Sequence, residues 1–349
     1  MKEILLDFSK EELRELFTGY GQPSYRAEQV FTALHNNLAF DAMSSLPKRL
    51  REELEAQYYT PPVRIVKTLE SADGTKKYLF ALQDGNVIEG VLMRYKYGNT
   101  QCVSTQVGCR MNCAFCASGL NGLVRNLSAG EILGQIAAVN ADEGGNTEHR
   151  KVTNVVLMGS GEPLDNYGNV VRFLKNLSTK GGLNISMRNV SLSTCGLADK
   201  MKAFAEEGLP VNLTVSLHSP FDEERQKIMP VAKRYTIAEI LQACDVYFGK
   251  TGRRFIFEYV LIAGENDTKR HAEGLISILK GKPCHLNLIR LNEVKERNLR
   301  GATDKNAYLF LSMLEKGGLS VTLRRRMGAD IDGACGQLRQ KYLENGETI

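Results

Sequence analysis

The chain has 349 residues, 43% of them hydrophobic and 24% charged, with a formal net charge of +5. That is enough chain to bury one large core or two smaller ones, and the balance is ordinary for a soluble globular protein. No uncharged apolar run approaches the ~18 residues that a membrane span requires. The opening "MKEILLDFSKEELRELF" has no signal-peptide layout, so the expected compartment is the cytoplasm, with no membrane partner. There thiols stay reduced, and clustered cysteines bind metal or do chemistry more often than they crosslink.

The charge is unevenly spread. Residues 1–60 hold seven Lys/Arg against ten Asp/Glu, which leaves +8 on the remainder. A basic main body fits a polyanionic partner such as RNA, although scattered surface lysines in a soluble enzyme look the same.

In chain order, "SKEELRELFTGY", "SYRAEQVFTALHNN" and "LPKRLREELEAQ" carry apolar residues at three- and four-residue spacing, which predicts helices. "TPPVR" breaks that run. Residues 62–98 then alternate as strands, "VRIVKTL", "KKYLFAL" and "NVIEGVLMRY", with "ADG" and "QDG" as turns. The expected organisation is a helical accessory domain over 1–60, a β extension over 61–100 and a catalytic domain over 101–349.

From residue 101, strand-like runs at "QCVSTQV", "TNVVLMG", "RNVSLST", "PVNLTVSL", "RRFIFEYVLI" and "PCHLNLIRL" alternate with amphipathic helices. One helix opens on Ser128-x-x-Glu131, a capping-box pattern. Repeated strand–helix alternation implies right-handed crossovers and a parallel sheet. Six units are too few for a closed eight-stranded barrel, so the fold class is α/β, a partial barrel or an open sheet.

Ligands of such sheets bind outside the carboxyl ends of the strands. Each predicted strand here ends in something polar or reactive. A cysteine triplet follows the first, "GSGEP" the second, Ser193-Thr194 ends the third, Ser216-Leu217-His218 the fourth, and Asn292 lies past the sixth.

The triplet Cys109, Cys113 and Cys116 forms C-x3-C-x2-C within "CVSTQVGCRMNCAFCAS". A structural zinc site needs a fourth ligand, from Cys102 or elsewhere. A 4Fe–4S cluster on three thiolates instead leaves one iron open to a small molecule. Glycines 159 and 161 permit close backbone approach beside Glu162, a carboxylate that can accept from an ammonium group; an ordinary Gly/Pro turn is the bland alternative. Near the C-terminus, Cys335 in "ADIDGACGQL" sits among small residues that could let a thiol swing, whereas Cys244 and Cys284 fall in helical and strand patterns as spare buried thiols.

Taken together, "CVSTQVGCRMNCAFCAS", "RNLSAGEI", "VVLMGSGEPLDNY", "VSLSTCGL", "VSLHSP", "LIRLNEV" and "ADIDGACGQL" resemble the RlmN/Cfr family of radical S-adenosylmethionine (SAM) rRNA adenine methyltransferases, from about residue 20 to about residue 343. The resemblance implies a partial (β/α)6 radical-SAM barrel with a 4Fe–4S cluster on Cys109, Cys113 and Cys116. It implies SAM contacts from Gly161, Glu162, Ser193, Ser216, Leu217, His218 and Asn292. It also implies methylation of adenine C2 in 23S rRNA at the peptidyl transferase centre and, in some members, of an adenine beside the tRNA anticodon.

By the same resemblance, Cys335 takes a methyl group from one SAM, and a second SAM, cleaved to a 5′-deoxyadenosyl radical, activates it for addition to C2. Cys102 then releases the product by forming a disulfide with Cys335, and Glu89 is the proton acceptor. Without the family, Glu89 reads as an exposed strand carboxylate. Gly90 follows it where Thr or Ser is usual, and Gly333 stands where Ala is commoner. The implied partners are rRNA, tRNA and a reductase such as flavodoxin or ferredoxin, acting on a monomer. A Cfr-type enzyme acting on adenine C8 shares the cysteines, although "GEPLDN" and "GLVRNL" sit closer to the RlmN branch. A zinc-stabilised RNA-binding protein without catalysis is the reading from a different class.

Overall fold

The computed structural model describes residues 2–292, 294 and 296–331. After a short strand β1 (Glu3–Ile4) come three helices, α1 (Lys10–Gly19), α2 (Ser24–His35) and α3 (Lys48–Gln57), and β2 (Tyr58–Tyr59), which pairs with β1. Strands β3 (Val63–Glu70), β4 (Lys76–Leu82) and β5 (Val87–Tyr95) form an antiparallel meander that continues into β6 (Gly98–Cys102). A small hairpin of β7 (Gln106–Gly108) and β8 (Leu123–Asn126) brackets the cysteine loop.

There follow α4 (Ala129–Asp142), β9 (Val152–Leu157), α5 (Tyr167–Leu177), β10 (Val190–Thr194), α6 (Ala198–Glu206) and β11 (Asn212–Ser216). The chain continues through α7 (Asp222–Ile228), α8 (Ile237–Thr251), β12 (Phe255–Leu261), α9 (Lys269–Leu279), β13 (Cys284–Arg290), α10 (Asp304–Lys316) and β14 (Val321–Leu323).

All the long strands share one ten-stranded sheet in the order β14-β13-β12-β11-β10-β9-β6-β5-β4-β3. From β6 to β14 every pairing is parallel, so the six predicted parallel strands are extended by a seventh, β14. The two edge strands do not pair, and the barrel stays open.

Parallel strands covered on both faces read as continuous apolar runs. These alternate instead, because only one face is covered. Leu157, Leu192, Leu213, Val215, Phe257, Leu286 and Leu288 bury under the helices in one continuous core. The opposite, concave face carries polar side chains. One row, Ser216–Glu258–Asn287–Thr322, runs straight across four strands. Asn287 Nδ2 donates to Glu258 Oε1 at 3.1 Å, and Thr322 Oγ1 to Asn287 Oδ1 at 2.9 Å.

The N-terminal helices join the same core through Leu13, Phe17, Val30 and Phe31. His35, fully buried, accepts from the Leu183 backbone at 3.1 Å. The predicted capping box is present: Ser128 Oγ accepts from Glu131 N, and the Glu131 carboxylate from Ser128 N. Past β14 the chain returns to the β3–β4 turn. Ser71 Oγ and Ala72 N donate to the Asp330 carboxylate, and Gly328 N donates to Asp73 Oδ2 at 3.0 Å. Among the described residues no helix is long and apolar enough to cross a membrane.

Candidate active site

A cavity of about 310 Å³ opens at the carboxyl ends of the parallel strands, within the size range of small-ligand pockets. Cys109, Cys113, Cys116, Gly161, Glu162, Ser193, Ser216, His218 and Asn292 all line it. Residues distant in sequence converge because every parallel strand ends at the same rim.

The backbone around β9 explains the glycines. Gly161 has φ +107°, and a Cβ there would lie 2.6 Å from the Gln106 side chain. A non-glycine residue there would combine strain with collision. Glu162, next in the chain, is 3% exposed. Burial pushes its carboxyl up, and donation from Cys195 N (2.7 Å) and Leu164 N (3.0 Å) opposes that shift.

His218 also has positive φ, +60°, a conformation unusual for a side chain with Cβ and concentrated at functional sites. Its Nδ1 accepts from Val260 N at 3.0 Å, which leaves Nε2 to carry the proton. Burial drives its pKa down to about 3, so the ring is neutral. Phe115 of the cysteine loop meets it edge-on at 4.6 Å.

Three predicted residues fall elsewhere. Leu217 does not reach the cavity: its side chain is fully buried in the core. Its N–H donates to Glu258 O at 3.0 Å, and its carbonyl accepts from Arg225 Nε at 3.0 Å. Cys102 and Glu89 share one face of the sheet, and Met158 and Arg324, which both act on Cys102, line the cavity. Glu89 is not the exposed carboxylate that composition alone suggests. It is 1% exposed, and its Oε2 lies 3.6 Å from Nζ of the equally buried Lys77.

Desolvation pushes the Cys102 thiol up to about 12, against the pull of the Met158 backbone and the Arg324 guanidinium. Arg324 itself pairs with Glu258 at 3.3 Å and touches the Met158 sulfur at 3.8 Å. All seven cysteines among the described residues are free thiols. The disulfide expected from Cys102 is therefore not found: its thiol is free. Cys335 lies outside the described residues.

Sequence reasoning passed over Cys195, Arg225 and Arg324. Cys195 and Arg324 both line the cavity. The neighbourhood of Cys195 was signalled by the adjacent Ser193. Nothing in "DEERQKI" marks Arg225 as anything but a surface arginine.

The three loop thiols share a cavity and feel one another's charge: burial, then Cys116 and Cys109, push Cys113 up. Among the described residues no three His, Cys, Asp or Glu side chains converge tightly enough to chelate a single metal ion. Three thiols around an open cavity suit a polynuclear centre that keeps one site free for a small molecule.

Two family models match the chain: the Radical SAM superfamily over residues 103–273, and the ribosomal RNA large subunit methyltransferase N-terminal domain over residues 4–59. A probable dual-specificity RNA methyltransferase RlmN from Clostridium botulinum is 47% identical over 344 residues, covering 98% of this chain and 99% of that one. The protein of the same name from Clostridium perfringens is 48% identical, with 99% of each chain covered. Among solved structures, a radical SAM methyltransferase from Sphaerobacter thermophilus superposes with a TM-score of 0.92 at 40% identity, covering 96% of this chain and 98% of that one. The chain belongs to the RlmN family.

Membership of the radical SAM superfamily implies a 4Fe–4S cluster and SAM. The residues present fit both. The donor set is the three thiols Cys109, Cys113 and Cys116 on one cavity wall. The rest of the rim supplies a buried carboxylate, two serine hydroxyls, a neutral imidazole and an amide, the groups that an amino-acid head and a ribose would engage.

Proposed function

We propose that this chain is a dual-specificity RNA methyltransferase that methylates C2 of one adenine in 23S rRNA at the peptidyl transferase centre, and of an adenine beside the anticodon in some tRNAs. The observation that carries the reading is the convergence of three loop thiols with Glu162, Ser193, Ser216, His218 and Asn292 on one cavity, with Cys102 close behind Met158. The relatives' names supply the substrate class.

Adenine C2 lies between two ring nitrogens and is electron-poor, so direct attack on an electrophilic methyl group fails there. When bound, the cluster supplies an electron to SAM, and SAM supplies the methyl group and the oxidising power to activate it. The remaining steps fall to this chain's residues. Cys109, Cys113 and Cys116 hold the cluster, while Glu162, Ser193, Ser216, His218 and Asn292 orient SAM. Leu217, which does not line the cavity, is given no part in holding SAM. Cys335 accepts the methyl group as a thiolate nucleophile and carries it to C2.

Glu89, paired with Lys77 on the concave face, removes the C2 proton. Cys102 then attacks the Cys335 sulfur: the S–S bond forms as the S–CH2 bond breaks, and the methylene leaves with that electron pair and takes up the thiol's proton as the C2 methyl of the released RNA. The high pKa of Cys102 suits this timing. It stays a protonated thiol until the adduct places an electrophilic sulfur beside it.

The residue 1–60 helices are assigned to RNA contact by their match to the rRNA methyltransferase N-terminal domain, and a low-potential flavodoxin or ferredoxin is the proposed electron source in the cytoplasm. The test is mass spectrometry of rRNA and tRNA fragments after anaerobic incubation with SAM and a reductant. A methyl group at C2 is the expected product. A methyl group at C8 moves the chain to the Cfr reading, and iron-free protein that binds RNA without modifying it overturns the radical reading.

A further inference from the structure

The largest fully buried side chain among the described residues is a charged one, Arg225 of α7. A guanidinium does not deprotonate inside a protein, and burying an ion without a counter-ion is among the costliest arrangements available. Arg225 forms no ion pair among the described residues. Its Nε donates to Leu217 O at 3.0 Å, and Nη2 donates to Cys195 O at 2.7 Å and Ser216 O at 3.1 Å. Its Nη1 is sealed from solvent with no hydrogen-bond partner. Three carbonyl dipoles therefore hold a full positive charge, and one arm of the fork is left over.

The location is specific. All three carbonyls belong to strand ends at the rim, and Cys195 lines the cavity together with Cys113. Ala114 N, next to Cys113, donates to Ile228 O at 2.8 Å, which ties the cysteine loop to the end of α7. Met229, one residue beyond, lines the cavity too. The acidic groups whose charge Arg225 feels are Cys195, Cys113 and Asp222. The Asp222 carboxylate is committed to Ile237 N at 2.8 Å, and burial keeps the Cys195 thiol protonated. Among the described residues no carboxylate forms an ion pair with Arg225, and on its cavity side the loop thiols, with what they bind, are placed to supply the missing negative charge.

We propose that Arg225 is the built-in counter-charge of an iron–sulfur cluster on Cys109, Cys113 and Cys116, and that it raises the reduction potential of that cluster. Net charge around a cluster is one of the determinants of its potential. Reduction adds one electron, taken from a low-potential one-electron donor, and makes or breaks no bond. A fixed cation nearby favours the more negative, reduced state. Arg225 does not line the cavity, so it acts as a positioning and charge-compensating residue. The inference rests on the cluster assignment of the three thiols.

The test uses the full chain, reconstituted anaerobically without SAM or RNA, as wild type, Arg225→Gln and Arg225→Lys. Each is poised at set potentials with dithionite and mediators, and the reduced cluster is counted by electron paramagnetic resonance. Iron content and far-ultraviolet circular dichroism serve as controls. At a fixed potential, Arg225→Gln is expected to lower the reduced-to-oxidised ratio about tenfold or more, a shift of about 59 mV for one electron, while Arg225→Lys stays within about threefold of wild type.

A fully loaded Arg225→Gln protein with the wild-type ratio overturns the proposal, as does Arg225→Lys shifting as far as Gln. A folded Gln variant that holds no cluster, beside a Lys variant that does, supports the need for charge. If neither variant folds, or both fold without a cluster, Arg225 is a structural clamp and the proposal fails. Wild-type protein that takes up no iron sinks the cluster assignment itself, which is distinguishable from loaded wild type with unchanged variants.

Discussion

Cys113 and Cys102 stand eleven residues apart in the chain, and their surroundings differ in how charge is balanced. Around Cys102 each cation has its own carboxylate. Lys77 pairs with Glu89, and Arg324 pairs with Glu258. Around Cys113 the cation Arg225 has no such ion-pair mate among the described residues. A neutral neighbourhood keeps a thiol protonated and quiet, whereas an excess of positive charge prepares a place for an anionic group. The difference teaches that proximity of cysteines in sequence says little about their shared role. Neighbouring charges separate the two.

The sharpest way to break that contrast is to remove one thiol from each side. Cys113→Ala is expected to abolish cluster uptake, and with it methylation, in a protein that still folds; iron analysis and visible absorbance check this. Cys335→Ala is expected to abolish methylation while cluster assembly and SAM cleavage persist. Cys102→Ala should retain the cluster and instead accumulate a covalent protein–RNA adduct, seen as a shifted band on a denaturing gel. Normal product release from that variant would remove Cys102 from the proposed sequence.

Next in size is the balance around Cys102. Lys77→Met leaves the buried Glu89 without its ion-pair partner and is expected to cost about 3–5 kcal/mol in urea unfolding. The double variant Lys77→Met/Glu89→Gln should lose clearly less, because no uncompensated charge remains. Equal losses would show that Lys77 contributes through packing alone.

The smallest effect is a titration. With its thiol pushed up to about 12, Cys102 is the reluctant form of a nucleophile at neutral pH. Its alkylation by iodoacetamide should keep rising about tenfold per pH unit well past the point, about 8.5, where an ordinary thiol begins to level off. Since Arg324 pulls that value down, Arg324→Gln should move the curve to still higher pH. A curve that levels near 8.5 in the wild type would mean that Cys102 is an ordinary exposed thiol.

Much of this arrangement could be read before the structure. The helices of residues 1–57, the Ser128 cap and the strand-end placement of Gly161, Glu162, Ser193, Ser216 and His218 all follow from local periodicity and the rule of carboxyl ends. What escaped was set by tertiary contact. The three-residue β14 is too short to alternate visibly, and three arginines follow it directly. Arg225 sits in a helix with an acidic first turn, which looks solvated until α7 is packed under the rim. Leu217, flanked by two cavity residues, turns the other way because side chains alternate along an extended segment.

Glu89 was readable in principle. Val87 and Val91, two residues to either side, share its face of β5, and an acid flanked by apolar residues at that period belongs to a buried face.

The clasp between the β3–β4 turn and residues 328–330 has a consequence for engineering and descent. Two peptide segments some 250 positions apart are fastened through Asp330 and Asp73, so neither can change length alone. A chimera that imports the hairpin from a relative must import Gly328 to Asp330 with it. Substitutions at Ser71, Asp73 and Asp330 are expected to travel together between lineages, like the two halves of a lock exchanged as a set.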